Sequence, residues 1–337
     1  MQVDSGGYAS TVIEAGESAA RAERDGYDGW WVAETQVDPF VASAVAAQRT
    51  KQVGLATAIA VAFARNPMTV ALQANDLHVL SGGRFTLGLG SQIKPHITNR
   101  YSMEWSRPAA RMREFILAVR AIWECWATDG RLSFRGEFYR LTLMTPFFNP
   151  GPNPHGNPTI MLAAVGPLMT QVAGEVADGI LCHGFSTERY VREVTLPALE
   201  KGARKAGRSL DGFEISAPSF VVAGDTEEEI AAGTQFVKQQ IAFYGSTPAY
   251  RPVLELHGWG ELQDTLHGMS TRGAWDGMAS LIDDEMLHTF AVVGTPEEAV
   301  AELIHRYGDV ATRITLPIPE GADPDRWASL FQTLRAA

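Results

Sequence analysis

Short β-branched or aromatic runs alternate with helix-like stretches along all 337 residues of the chain. Strands separated by helices pair in parallel, because each helix carries the chain back to the starting edge of the sheet. Eight such strands close a (β/α)₈ barrel, and this length fits a barrel with insertions. We therefore predict one TIM-barrel domain over residues 1–337. The predicted strands are Gln2–Asp4, Gly29–Ala33, Val53–Ala60, Phe85–Gly90, Thr159–Ala164, Gly179–His183, Glu214–Ala223 and Arg313–Ile318.

The stretches between the strands carry helix signals. Apolar residues in Pro108–Trp126 recur at helical spacing, which predicts an amphipathic helix. Asn66–Pro67 indicates a helix start, and Gly82–Gly83 indicates its end. Thr226–Glu229 and Thr295–Glu298 each have the spacing of a capping box. A doubly wound sheet is the second choice of fold, and it is less favoured because no Gly-x-Gly-x-x-Gly follows the first strand.

The segment 241–286, between the seventh and eighth predicted strands, is too long for a plain helix. We predict an insertion within the barrel domain there. It either covers the barrel mouth and shapes an apolar substrate pocket, or forms a packed helical pair that supports a homo-oligomer, expected to be a dimer. Its conspicuous side chains are Tyr244, Tyr250, His257, Trp259, Trp275 and Met286.

Charge and composition limit the classes of partner that the protein is expected to bind. The formal net charge is −11, and such a surface repels nucleic acid and anionic lipid. An anionic ligand therefore needs locally arranged hydrogen-bond donors. Cys125 and Cys182 are interpreted as buried thiols in a reducing compartment. No secretory signal is evident, and the longest apolar stretch, 58–64, is too short to span a bilayer. We expect a cytoplasmic protein with a small-molecule substrate.

In a (β/α)₈ barrel the active site lies where the strands end. Few residues at those positions are acids or bases, and the sequence has no metal-ligand motif, no Gly-x-Ser-x-Gly and no Walker loop. This favours a bound cofactor that supplies the reactivity, with no metal site. The strand-end residues are Asp4, Glu34, Thr35, Ala58, Ile59, Ser91, Gln92, Val165, Gly166, Pro167 and His183.

Longer stretches carry a family resemblance. These stretches are GYDGWWVAETQ, the run from VGLATAIAVAFARNP to LSGGRFTLGLGSQIKPH, TIMLAAVGPLMTQVAGEVADGILCHG and VVGTPEEAVAELIHRYG. Together they resemble the luciferase-like monooxygenase superfamily. GLGSQIKPHI and TPFFNPGP look closest to its actinobacterial, coenzyme F420-dependent branch. The resemblance implies hydride transfer between F420 and a small organic substrate. Two alternatives stay open: an FMN-dependent two-component monooxygenase that uses dioxygen, and a non-catalytic protein that binds F420 or flavin.

The resemblance also implies residue roles. A non-proline cis peptide behind the central ring of the cofactor maps onto Ala58–Ile59. The sequence AAVGP resembles a phosphate cradle, in which helix amides after Gly166 face the anion; Val165, Pro167, Leu168 and Met169 complete this segment. Gly90 resembles a close-packing glycine, with Ser91 and Gln92 at the mouth. Gln92 either binds the pyrimidine edge of the cofactor or faces solvent. Asp4 completes the predicted cofactor-binding set.

The chain departs from the family pattern at the end of strand two. Several F420-dependent relatives have His after the acidic residue there, whereas this chain has Glu34–Thr35. A Thr hydroxyl donates a hydrogen bond but does not exchange a proton near neutral pH. Proton transfer is therefore assigned to Glu34, to His183 or to the substrate. His183 is the more attractive of the two side chains, because imidazole titrates near neutrality.

Overall fold

Eight parallel strands close into a ring, in a computed structural model that describes residues 1–218, 220–319 and 321–337. The strands in these residues are β1 (Gln2–Gly7), β2 (Gly29–Val32), β3 (Gly54–Thr57), β4 (Ala60–Val61), β5 (Phe85–Gly90), β6 (Phe134–Arg135), β7 (Arg140–Leu141), β8 (Thr159–Ala164), β9 (Gly179–Cys182), β10 (Glu214–Ser216), β11 (Val221–Ala223), β12 (Val292–Gly294) and β13 (Arg313–Thr315). The ring runs β3-β2-β1-β13-β10-β9-β8-β5 and returns to β3, so the prediction of a (β/α)₈ barrel is confirmed.

Helices surround the ring and begin where the sequence signals predict. The Asn66 side chain caps one helix, and both predicted capping boxes are formed. The predicted apolar face within 108–126 is buried. The helices are α1 (Val12–Arg24), α2 (Pro39–Arg49), α3 (Pro67–Leu80), α4 (Pro108–Thr128), α5 (Pro167–Val176), α6 (Glu188–Tyr190), α7 (Leu196–Ala206), α8 (Glu227–Gly245), α9 (Arg251–Leu256), α10 (Gly260–Thr271), α11 (Asp284–Phe290), α12 (Pro296–Tyr307) and α13 (Pro324–Ala336). None of the helices in the described residues has the length and hydrophobicity needed to cross a membrane.

The barrel interior is small and tightly filled. Trp31, Ala56, Met161 and Leu181 form a buried cluster inside the ring. Towards the amino ends of the strands, the Arg313 guanidinium lies 5.2 Å from the centre of the Trp31 ring. The interior is therefore a packed core, and a ligand must bind above it at the carboxyl ends of the strands, which we call the mouth.

The predicted seventh strand, 214–223, is wrong in extent. Only β10 belongs to the barrel, whereas β11 leaves it and pairs in parallel with β12. Helices α8 to α11 lie between β11 and β12, and they build a second hydrophobic core together with Phe185 and Tyr190. The segment 241–286, predicted as an insertion, lies between β11 and β12.

The ring closes between β3 and β5 through a side chain. Backbone pairing of these strands covers only Leu55–Phe85 and Ala56–Thr86, and β4 resumes pairing with β5 at Ala60. In the gap, the Thr57 hydroxyl donates to the Gly88 carbonyl at 2.7 Å and accepts from the Gly88 amide at 3.0 Å. A Cβ on Gly88 would overlap the Thr57 carbonyl oxygen. Thr57 thus replaces the missing backbone pairing beside the bulge.

Replacing Thr57 with Val should therefore lower the free energy of unfolding by about 1–3 kcal/mol, because two buried backbone groups of Gly88 lose their partner. Thr57→Ser keeps the hydroxyl and serves as the control. Urea denaturation of both variants measures the difference. A Val variant as stable as the wild type would show that the hydroxyl does not maintain this junction.

Candidate functional site

The mouth brings most of the predicted site residues to one end of the barrel, with Asp4 as the exception. β1 continues to Gly7, so the expected strand end at Asp4 is wrong. Asp4 pairs in register with Gly29, the first residue of β2, and it is fully buried. Its two carboxylate oxygens accept from Arg313 at 2.6 and 2.9 Å. Asp4 therefore belongs to an ion pair below the core, and Tyr8 takes the strand-end position.

The bulge after β3 forms one side of the mouth. The Ala58–Ile59 peptide bond is cis, as the family resemblance implied. A Cβ on Gly90 would lie 2.7 Å from Cγ1 and 2.8 Å from Cδ1 of Ile59. Glycine at position 90 therefore makes the space that the Ile59 side chain occupies.

Glu34 lies beneath this bulge and is fully engaged by protein groups. One carboxylate oxygen accepts from the Val61 amide at 2.7 Å and from Arg65 at 2.6 Å, while the other accepts from the Tyr101 hydroxyl at 2.8 Å. Burial and this hydrogen bond raise the pKa of Tyr101 to about 12. Thr35 is exposed, and its carbonyl accepts from Arg100. Glu34 thus positions the segment after the bulge. Sequence reasoning missed Arg65 and Tyr101 because neither directly follows a predicted strand.

The segment after β5 presents an oriented amide. Gln92 has a φ of 59°, in the left-handed region that non-glycine residues rarely adopt. Its Oε1 accepts from the Ile93 amide at 3.0 Å, and Ser91 Oγ donates to the Gln92 carbonyl at 3.1 Å. Since Oε1 is occupied, Nε2 is the free end of the side chain, with no partner among the described residues. Gln92 therefore offers hydrogen-bond donors.

The amino end of α5 follows β8. Gly166 precedes the helix and supplies no side-chain cap, so the amides of Leu168 and Met169 have no partner in the described part of the chain. Gly166 has a φ of −71°, which any residue adopts, and a Cβ there would meet nothing within 4 Å. The Tyr190 hydroxyl holds this turn by donating to the Val165 carbonyl at 3.2 Å. Free amides, the positive end of the helix dipole and open space make this a suitable place for an anion.

His183 follows β9, and the structure contradicts its predicted titration near neutrality. Burial lowers the pKa of His183 from 6.5 to about 4, so the ring is neutral at pH 7. Nδ1 accepts from the Phe185 amide at 3.0 Å. The single proton of the neutral ring must therefore be on Nε2, which has no partner among the described residues. His183 acts as a hydrogen-bond donor in this state.

Three neighbouring strands thus end in donors. β5, β8 and β9 are adjacent in the ring, and they present Gln92 Nε2, the Leu168 and Met169 amides, and His183 Nε2. We call this set the donor arc. All four of these atoms are uncharged hydrogen-bond donors, and none of them accepts a hydrogen bond. The donor arc therefore suits a ligand rich in oxygen or nitrogen acceptors, including an anion.

Aromatic rings line the mouth beside the donor arc. The Tyr244 ring centre lies 4.5 Å from that of His183, and Tyr250 lies 4.9 Å from it. Of the aromatic residues predicted in the insertion, these two reach the mouth. The Trp275 ring is tilted by 40° against that of Phe243, while His257 and Trp259 pack with Phe290 in the second core. Phe220 also lies here, with its ring centre 6.3 Å from that of Tyr244. Sequence reasoning missed Tyr8 and Phe220, because the first strand was predicted to end at Asp4 and one strand was predicted over 214–223.

Comparison with known proteins agrees with this architecture. A family model described as luciferase-like monooxygenase matches residues 1–313. An uncharacterised protein of Mycobacterium tuberculosis is 49% identical over 330 residues, covering 98% of this chain and 97% of that protein. A 5,10-methylenetetrahydromethanopterin reductase of Archaeoglobus fulgidus is 28% identical over 319 residues, 92% and 91% of the two chains. A second Mycobacterium tuberculosis protein, whose name proposes a coenzyme F420-dependent oxidoreductase, is 30% identical over 295 residues, 82% and 83%.

Solved structures share the fold. The coenzyme F420-dependent tetrahydromethanopterin reductase of Methanopyrus kandleri superposes with a TM-score of 0.78 at 21% identity, covering 98% of this chain and 96% of that one. The oxygenating component of a Baeyer–Villiger monooxygenase of Pseudomonas putida, in complex with FMN, gives a TM-score of 0.67 at 16% identity, covering 99% and 96%.

The state of His183 can be tested by NMR. We expect its ring nitrogens to report a neutral Nε2–H tautomer at pH 7 and protonation only near pH 4. The unfolded chain takes up this proton near pH 6.5, so the contribution of His183 to the free energy of unfolding falls as the pH drops from 6.5 towards 4. His183→Gln assigns the signal. Titration of that signal between pH 6 and 7 would contradict the neutral donor.

Proposed function

The chain belongs to the luciferase-like monooxygenase family, and from this premise we propose that it is a coenzyme F420-dependent oxidoreductase that transfers hydride between the deazaflavin and a small organic substrate. The donor arc carries the proposal. F420 has a phosphodiester and an acceptor-rich pyrimidine ring, and an acidic protein needs local donors for such a ligand.

The residues at the mouth fit this cofactor. The Leu168 and Met169 amides would hold the phosphate, beside the space that Gly166 leaves open. Gln92 Nε2 would donate to the pyrimidine edge, with Ser91 fixing the turn that presents it. Ala58, Ile59 and Gly90 would form the surface against the central ring. When bound, the deazaflavin supplies the hydride chemistry.

Glu34, Thr35 and His183 would not transfer protons; Glu34 and His183 would instead help to orient the site and its ligands. Glu34 is held by three donors and stabilises the segment after the bulge. Thr35 is exposed. His183 is neutral at pH 7 because burial lowers its pKa to about 4, so it would donate a hydrogen bond to cofactor or substrate and would not exchange a proton. A proton required by the reaction would then come from substrate or solvent.

F420 is favoured over FMN by the relatives. A protein named for proposed F420 dependence is 30% identical over 295 residues, whereas the FMN complex matches at only 16% identity. An FMN-dependent monooxygenase that uses dioxygen is the second candidate, because that FMN-binding structure shares the fold over 99% of this chain.

Titration with each cofactor tests the proposal. F420 fluorescence should change at micromolar protein, and FMN should bind more weakly. Gly166→Val should lower F420 affinity by at least about tenfold, because the isopropyl group fills the space beside the α5 amides, where no protein atom lies within 4 Å of a Cβ.

Gly166→Ala serves as the graded control, with a smaller loss, and thermal unfolding should show both variants as stable as the wild type. Tighter binding of FMN than of F420 would favour the monooxygenase instead. Unchanged F420 affinity in a folded Gly166→Val variant would show that the phosphate binds elsewhere. A substrate screen with reduced F420 separates an enzyme from a protein that only stores the cofactor.

A further inference from the structure

A group of aromatic side chains lines the mouth beside the donor arc. We call Tyr8, His183, Phe220, Tyr244 and Tyr250 the aromatic wall. Tyr244 lies in the last turn of α8, and its ring centre is 4.5 Å from His183, 6.2 Å from Tyr250 and 6.3 Å from Phe220. The rings of His183 and Tyr244 meet at 84°, an edge-to-face arrangement.

The aromatic wall spans a defined sector of the barrel. His183 follows β9 and Tyr8 follows β1, and these strands are separated in the ring by β10 and β13. The Tyr8 hydroxyl is close enough to Tyr244 to help raise the pKa of that phenol, after burial. Tyr244 therefore reaches from one side of this sector to the other. Since His183 belongs to both groups, the aromatic wall begins where the donor arc ends.

The rings of His183, Tyr244 and Tyr250 in the aromatic wall are uncharged at pH 7. Burial lowers the pKa of His183 and raises that of Tyr250, and burial with the Tyr8 and Tyr250 hydroxyls raises the pKa of Tyr244. Within the described residues, no Arg, Lys, Asp or Glu contributes to any of these three shifts. A carboxylate or phosphate placed here would lose its hydration without gaining a counter-charge.

The aromatic wall is nevertheless accessible from outside. Its inner members are partly exposed, and Tyr8 is 69% exposed. Phe243 continues the surface outward from Tyr244, and Trp275, 50% exposed, lies 6.0 Å from Phe243. A planar molecule can therefore enter along rings that also supply edge and face contacts.

We infer that the aromatic wall binds the substrate of the proposed oxidoreductase, and that this substrate is a neutral, planar, ring-bearing molecule. The inference rests on the proposed function for its chemistry, but the binding surface can be tested without cofactor. A ring substituted with a carboxylate binds more weakly there, because the aromatic wall offers it neither a cation nor free backbone amides like those at the start of α5.

The probes are 2-acetylnaphthalene and 2-naphthoate, which share a ring system and nearly the same size but differ in charge. Each is titrated into the cofactor-free protein by calorimetry at pH 7, with Trp275 fluorescence as a second readout assigned by Trp275→Phe. We expect the neutral ketone to bind at least about tenfold more tightly than the carboxylate.

Tyr244→Leu keeps an apolar side chain but removes the ring, and it should weaken ketone binding about three- to tenfold. Phe147→Ala is the matched control, because Phe147 is 90% exposed and lies in the segment that precedes β8, at the amino end of the barrel; ketone binding should not change. Should Tyr244→Leu prove unfolded by circular dichroism, Tyr250→Leu takes its place.

Equal binding of ketone and carboxylate, or wild-type ketone affinity in the folded Leu variant, would overturn the inference. F420 titration of the same samples keeps the two proposals separate. Loss of charge discrimination with F420 binding intact refutes the aromatic wall alone. Selective ketone binding without F420 binding supports the aromatic wall and refutes the proposed cofactor.

Discussion

The hydrogen bonds between Thr57 and Gly88 are the interaction on which the site depends. They join β3 to β5 where the backbone cannot pair, so the ring closes while the chain bulges at Ala58 and Ile59. Closure fixes the order of the strand ends, and that order places the ends of β5, β8 and β9 side by side. A gap at this junction would separate the bulge from Gly90 and loosen the neighbouring segment that presents Gln92.

The mouth offers local hydrogen-bond donors on a protein whose net charge is negative. A chain with a net charge of −11 repels anions at long range, yet the donor arc offers backbone amides and neutral side-chain donors at short range. Acidic side chains near the mouth are neutralised locally, as Glu34 is by Arg65 at 2.6 Å. The aromatic wall lies beside the donor arc. Under the proposed function, an acceptor-rich cofactor would meet the donor arc and a neutral substrate would meet the aromatic wall, and His183 belongs to both surfaces.

Much of the fold was predictable because alternation of strand and helix signals is a local property. β5 and β8 begin and end at the predicted residues, and helix caps such as Asn66 follow from side-chain chemistry. The end of β1 was not predictable, because an ion pair with Arg313, 309 positions away, holds Asp4 inside the strand. The pKa of His183 was likewise not predictable from the sequence. It is lowered by burial, and the rings of Tyr244 and Tyr250 that pack on His183 are brought there by tertiary structure. The roles proposed for Gly166 and Gln92 came from resemblance, and the structure adds the free donors.

A crystal structure of the protein with bound F420 would show which groups hold the cofactor. We expect the cofactor phosphate within hydrogen-bond distance of the Leu168 and Met169 amides, and the pyrimidine edge at Gln92 Nε2. A phosphate bound elsewhere, with the α5 amides facing water and Gln92 without contact to the ring, would contradict it.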